Sequence, residues 1–336
     1  MKKAIAFLLC TVLVLTMLTG CGSNASTSQK QPTANLASMK ILYHTHNAAP
    51  YETLDPGAAY SSGDMVLQNV YETLTHYDVK SGEVVPMLAS SWTSSEDGTE
   101  WVFQLREDVT FHDGTPLTAK QVVNSIQRTI DMGQDASGIW DAVETIEATG
   151  DYEVSFKCSQ ECAVDLAASS AYGAYIMSDS AVEKDATWFD EGNDGGSGPY
   201  MLSQATGDSV ILQAYEEYRG GWNDNQFRNV ILRAVPESGE RRRMLEAGEC
   251  QLSCEFSEED LEALKAQTDR LYIYTAETLT EADLEKLPAG KNQLPDPNSA
   301  GHTYVISNAV DGVYGNPAYP FAVDYYEVTQ KTENAA

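Results

Sequence analysis

Apolar and polar positions alternate most cleanly between Trp92 and Leu105, where Trp101, Phe103 and Leu105 share one face of a strand. Asp97-Gly98, between two aromatic-bearing runs, predicts a hairpin turn. A second turn signal, Asp113-Gly114, leads to Thr118, which reads as a helix N-cap with Gln121 in the capping-box position. Val122, Val123, Ile126 and Ile130 then recur at helical spacing. The stretch is a β-β-α unit.

The same reading extends along the chain. Ile41-Leu42-Tyr43 is an apolar strand, followed by a loop holding Leu54-Asp55-Pro56. A helix starts at Asp64 with Val66, Leu67, Val70 and Leu74 on one face. Tyr152, Val154 and Phe156 alternate as a strand, and an alanine-rich segment follows. Gly195, Gly196 and Gly198 form a glycine-rich turn into a strand at Tyr200; with no Lys-Ser/Thr after them they make a poor phosphate loop. Strands are expected at Val210–Leu212 and Val230–Val235. Glu240–Ala247 reads as a short helix stopped by Gly248; its Arg241-Arg242-Arg243 run has the charge to bind an anion, but such a run is more often a solvated face, and acidic neighbours abound here. Ser257 caps a helix over 258–267, with Leu261 and Leu264 inward.

The N-terminus supplies an address. Lys2-Lys3 precedes an apolar run from Ala4 to Leu18, too short for a comfortable membrane span and fitting a signal-peptide core over 1–20. Leu18-Thr19-Gly20-Cys21 resembles a bacterial lipobox, which implies that Cys21 is lipidated and anchors the chain to the outer face of the cell membrane. Residues 21–40, rich in Ser, Thr, Asn and Gln, read as a flexible tether. The formal charge is −29, and removing Lys2 and Lys3 makes it −31, which argues against nucleic acid or an anionic membrane surface as partner.

Cys10 leaves with the signal and Cys21 takes lipid, so Cys158, Cys162, Cys250 and Cys254 remain, in two CxxxC pairs. Outside the membrane a disulfide is the default. Cys158 and Cys162 flank a turn-like segment after a strand, within bridging reach. Cys250 to Cys254 looks extended, and four strand residues span roughly 13 Å, beyond the ~7 Å Cα limit. One bridge, Cys158–Cys162, is therefore expected; a four-cysteine zinc site lacks the usual tight knuckles. His44 and His46 would share a face on an extended strand and are weak metal candidates; the plainer reading is two loop histidines with no metal.

The order Pro86-Met-Leu-Ala-Ser-Ser-Trp92, Phe103-Gln-Leu-Arg106, Val109-Thr-Phe-His-Asp-Gly114 and Leu117-Thr-Ala119 resembles the signature of the extracytoplasmic solute-binding proteins of family 5, the peptide- and nickel-binding components of ABC importers. Leu54-Asp55-Pro56 and Gly196-Ser197-Gly198-Pro199-Tyr200 are similar to two further family words. The resemblance implies an α/β fold of the periplasmic-binding-protein type (type II, cluster C-like): a mixed sheet with flanking helices and an inserted subdomain. The main lobe would comprise 41–59, 190–278 and 302–330, and the inserted subdomain 60–189. Family order is followed to about Thr278. A polar connector over 279–301 stands where the family has its second large lobe, and the family's closing words resume near His302.

The implied function is a lipid-anchored receptor that captures peptide or another small solute for an ABC permease, with no cofactor. The resemblance places one groove wall at Tyr60, Ser61 and Ser62. The far wall has no counterpart in the sequence, so peptide binding much weaker than micromolar is expected. The alternative is a one-lobed docking lipoprotein with little solute binding. No nucleophile elbow, HExxH or paired carboxylates point to an enzyme.

Overall fold

The structure, a computed structural model, describes residues 41–60, 63–78, 81–222, 226–266, 271–275 and 303–307. The expected signal peptide, Cys21, the tether, Ser61, Ser62, the connector 279–301 and the closing segment beyond 307 lie outside the described residues.

The described chain runs through β1 (Ile41–His46), α1 (Asp64–Val70), β2 (Thr75–Asp78), β3 (Glu83–Pro86), β4 (Ala89–Ser94), β5 (Glu100–Leu105) and α2 (Ala119–Met132). A 3-10 turn at Asp135–Trp140 precedes β6 (Val143–Gly150), β7 (Glu153–Cys158), α3 (Val164–Ala167), α4 (Asp179–Val182) and α5 (Ala186–Asp190). Then come β8 (Tyr200–Thr206), β9 (Ser209–Ala214), β10 (Asn229–Ala234), α6 (Ser238–Ala247), β11 (Leu252–Cys254), α7 (Glu258–Lys265), β12 (Leu271–Thr275) and β13 (Thr303–Ser307).

Seven strands form one mixed sheet in the order β12-β13-β11-β1-β10-β9-β8. β1 is parallel to both neighbours, with Tyr43 opposite Ile231 and His44 opposite Leu252; the other pairings are antiparallel. A strand with parallel neighbours on both sides has both faces covered, which suits the near-continuous apolar run at its start. Leu42, Val66, Leu67, Val70, Tyr200, Leu212, Val230 and Leu232 meet in the core on this sheet.

A second core has its own antiparallel sheet, β4-β5-β7-β6. β4 and β5 are joined by the Asp97-Gly98 turn, Gly98 at φ +66°. Trp101, Phe103 and Leu105 all reach this core, with Val122 and Ile126 of α2 and with Val154 and Phe156 of β7. Thr118 and Gln121 form the expected capping box: the Thr118 side chain accepts from the Gln121 backbone, and Gln121 Oε1 accepts from the Thr118 backbone N at 2.9 Å.

Some expectations need correction. α1 stops at Val70, because Tyr71 is already extended (φ −114°, ψ 154°) and Glu72 bridges to Ile176. Leu74 therefore leaves the helix face and enters the second core. The helical spacing ran past the true end because two cores, not one, claim the apolar residues there. β6 escaped detection because it is an edge strand with few buried positions, so no alternation marks it. α7 ends at Lys265. Of the triple arginine, Arg241 leaves the solvated face: it is 1% exposed, its guanidinium donating to the Val235, Pro236, Cys254 and Glu255 carbonyls, while Arg242 and Arg243 stay at the surface among acidic partners. Arg242 pairs with Asp260 at 2.9 Å, and Arg243 with Glu240 and Glu249 at 2.7 and 2.8 Å. Four carbonyls converging on one cation cannot be read from sequence spacing.

Candidate functional site

The loop after β1 is held from three directions. Asp55 is fully buried and takes both prongs of Arg128 from α2, Nη1 at 2.7 Å and Nη2 at 2.6 Å. Its Oδ1 also accepts from the Gly57 backbone at 3.0 Å. Asp190, at the end of α5, accepts from the Leu54 backbone at 2.7 Å and from the Thr53 hydroxyl at 3.0 Å. A Cβ at Gly57 would fall 2.7 Å from Arg128 Nη1, so glycine lets the guanidinium approach. The Ala58 and Ala59 amides then close a turn onto the Asp55 carbonyl at 3.0 and 2.9 Å. Tyr60 emerges from this turn 55% exposed, more than any other large apolar side chain among the described residues, with its ring 5.8 Å from that of Tyr172. Of the expected groove wall, Tyr60 is thus placed at the surface on a rigid base, and Ser61 and Ser62 fall outside the described residues.

The glycine-rich crossover packs on the end of α1. A Cβ at Gly196 would sit 1.9 Å from the Val70 carbonyl oxygen, and one at Gly198 2.6 Å from that of Asn69. The glycines serve close packing on the end of α1. Ser197 donates to buried Glu72 at 2.9 Å, and Arg219 grips the same carboxylate with both Nη atoms. Glu72 and Arg219 were missed in the sequence; the one signal was an acidic residue inside the apolar stretch Val70–Leu74.

The other expected residues lie elsewhere. His44 and His46 are inside β1 and not in a loop, their rings stacked at 4.6 Å. His44 is 1% exposed; burial, and then the neighbouring His46, hold its pKa well below the ordinary histidine value. Burial, with help from Arg241, lowers His46 to about 4. Cys158 and Cys162 are linked, with Cα atoms 6.6 Å apart, and the Cys162 carbonyl accepts from the Trp101 indole at 3.1 Å. Cys250 and Cys254 are buried free thiols on opposite sides of the sheet, one in the small core with Leu245 and Leu264, the other in the main core. Burial raises both thiols to about 12, which keeps them protonated and inert at neutral pH. Among the described residues no group of three or more His, Cys, Asp or Glu side chains is placed to hold a metal ion, and no helix is long and apolar enough to cross a membrane.

Comparison with known proteins finds relatives across most of the described chain. A probable D,D-dipeptide-binding periplasmic protein of Escherichia coli is 32% identical over 246 residues, covering 70% of this chain and 47% of its own. Di/tripeptide-binding protein 2 of Pseudomonas aeruginosa is 27% identical over 271 residues, 73% of this chain and 50% of its own. A solute-binding protein from A. tumefaciens, solved in complex with mannopinic acid, superposes with a TM-score of 0.63 at 25% identity, covering 70% of this chain and 49% of its own. The chain spans about half the length of the relatives it matches. The model of the bacterial extracellular solute-binding proteins, family 5, matches residues 83–282, more than half of the chain, and the fold built on β1, the Leu-Asp-Pro loop and the glycine crossover is that of a periplasmic binding protein: the chain belongs to this family.

Proposed function

We propose that this chain is a lipid-anchored, extracytoplasmic solute receptor of the peptide class, handing its solute to an ABC permease. One observation carries the reading. The Leu-Asp-Pro loop is locked by Asp55, Arg128 and Asp190, yet it ends on Tyr60, an exposed aromatic ring. A rigid loop offering one ring costs little conformational entropy when a solute lands on it. The relatives support the solute class, since the names of the Escherichia coli and Pseudomonas aeruginosa proteins specify peptides. Tyr60, Ser61 and Ser62 would form one wall, and an extended peptide would pair with the backbone there.

The division of labour is assigned by segment. The main lobe, 41–59, 190–278 and 302–330, holds the strands of the seven-stranded sheet; residues 60–189 form the inserted subdomain, which begins with the wall at Tyr60 and ties back to Asp55 of the main lobe through Arg128. Anchoring is assigned to lipid on Cys21, with 1–20 removed and 21–40 as tether. Cys21→Ala should release the protein from the membrane fraction; wild-type protein found wholly soluble, with a different N-terminus, overturns the anchor.

Solute capture is tested by calorimetry of the full chain against di- to pentapeptides at millimolar concentration. A dissociation constant weaker than about 1 µM is expected, because one wall leaves much of a peptide in water, and Tyr60→Ala should weaken it further. No heat with any peptide, or binding indifferent to Tyr60→Ala, sinks the receptor reading and leaves a docking lipoprotein in its place.

A further inference from the structure

The ring of His112 is enclosed between two hydrogen-bond acceptors. Nδ1 meets the Asp194 carboxylate, and Nε2 lies 2.9 Å from the Gly198 carbonyl oxygen. The His112 and Asp194 side chains are 2% and 4% exposed. A neutral imidazole has one N–H and one lone pair. In either neutral tautomer a lone pair would therefore face an acceptor in a site closed to water, at the cost of an unmade buried hydrogen bond. Only the imidazolium donates to both.

We propose that His112 is a buried imidazolium that clasps the glycine crossover to the β-β-α unit, and that losing its proton at alkaline pH releases the clasp. The placement gives the proton leverage. His112 lies in the turn between β5 and α2, and its backbone amide also donates to the Gly196 carbonyl at 2.8 Å. Asp194 is fixed in turn: Oδ1 accepts from Gly196 N at 3.1 Å and Oδ2 from Leu202 N at 2.7 Å. Leu202 belongs to β8, the outer strand of the large sheet. One proton thus joins the core of the β-β-α unit to the core of the main sheet.

The charges around the ring favour the proton. Asp194 faces it from the crossover; Glu72, itself held by Arg219 and Ser197, adds negative potential from the segment after α1. Tyr215, just after β9, packs edge-on with ring centroids 4.8 Å apart, and its hydroxyl donates to the Phe111 carbonyl at 3.2 Å. Asp113, next in the turn, is engaged by Thr115 and Ser180. Burial works to lower the His112 pKa, but Asp194, the Gly198 carbonyl and Glu72 outweigh it, and the net shift is upward. The clasp is therefore closed below the ordinary histidine pKa and opens as pH rises through the raised one.

Histidine ring 15N spectra of the full chain between about pH 6 and pH 9 test this, since they separate imidazolium from either neutral tautomer. His112, assigned through its backbone and by loss of its signal in His112→Gln, should keep the imidazolium signature at pH values where a free histidine is neutral. Exchange of the Leu202 and Gly196 amides, corrected for intrinsic rate, should accelerate about tenfold across the His112 titration. In His112→Gln that step should vanish; should the variant not fold, the wild-type spectra and exchange rates are decisive by themselves. A neutral, single-tautomer His112 at pH 7, or amide exchange with no step at its titration, overturns the clasp.

Discussion

Asp55 and Arg128 form a two-pronged ion pair, 2.7 and 2.6 Å, that fixes the loop after β1 to a helix of the other core. The Arg128 guanidinium also donates to the Lys184 carbonyl at 2.9 Å and lies 5.3 Å from the Phe189 ring centroid. Leu54-Asp55-Pro56 therefore has a mechanical meaning: its aspartate ties the loop to α2, the helix that packs on the second core. Truncating one partner strands the other in a nearly dry site. Asp55→Ala should cost about 3 kcal/mol by urea denaturation, at the low end for a buried pair because the Arg128 side chain keeps 11% exposure. Adding Arg128→Ala should cost much less than a second full penalty. Additive losses would show that the pair is not coupled.

How far the sequence revealed this molecule depended on how local each cause was. The β4-turn-β5 hairpin and α2 were legible because Trp101, Phe103, Leu105, Asp97-Gly98 and Thr118 act within a few residues of one another. The same holds for the Cys158–Cys162 pairing, which spans four residues. Glu72, Arg219, Arg241 and His112 were not legible as a buried polar framework. Their partners lie 147 residues away for Glu72 and Arg219, and 82 away for His112 and Asp194. Burial of a charge is decided by the partner, and no periodicity records a partner at that distance. Within the candidate site, Tyr60 was named by resemblance alone, whereas the hold of Asp190 on Thr53 and Leu54 required the fold.

Gly196 and Gly207 make a matched pair of substitutions. A Cβ at Gly196 would overlap the Val70 carbonyl at 1.9 Å, backbone against backbone, whereas at Gly207 nothing lies within 4 Å. Gly196→Ala should lose about 3 kcal/mol or more, since the crossover must move off α1. Gly207→Ala should stay within about 0.5 kcal/mol of wild type. Equal denaturation midpoints for the two variants would disprove the tight packing of crossover on helix.

The disulfide closes a small loop, so its stabilisation should be modest. For a separation of four residues, loop-closure entropy gives about 2 kcal/mol. Cys158→Ala with Cys162→Ala should lose about that much and perturb Trp101, whose indole donates to the Cys162 and Gly98 carbonyls at 3.1 and 3.2 Å. Non-reducing peptide maps should show the 158–162 link, with Cys250 and Cys254 reacting with maleimide only after unfolding. A linked 250–254 peptide, or rapid labelling of the native chain, contradicts their burial on opposite sides of the sheet.

Acid should unfold this protein through β1. His44 is buried within β1, and among the described residues the His46 Nε2 is buried with no hydrogen-bond partner. Desolvation comes first among the causes that depress both pKa values; mutual repulsion adds to it at His44, and the Arg241 charge adds to it at His46. The unfolded chain therefore binds more protons than the native one as pH falls from 6.5 towards 4, and stability declines through that window. From the His46 shift alone the loss is at most about 3 kcal/mol, complete only below its folded pKa. Urea midpoints measured from about pH 7 down to pH 4.5 should fall steadily, and His46→Gln should flatten the slope. The two cores then have opposite pH limits: the β1 histidines must stay neutral, whereas His112 must stay charged. A pH profile with its maximum between these titrations, losing its acid limb in His46→Gln and its alkaline limb in His112→Gln, is the expected result. An acid limb unchanged by His46→Gln would assign the acid sensitivity to the carboxylates instead.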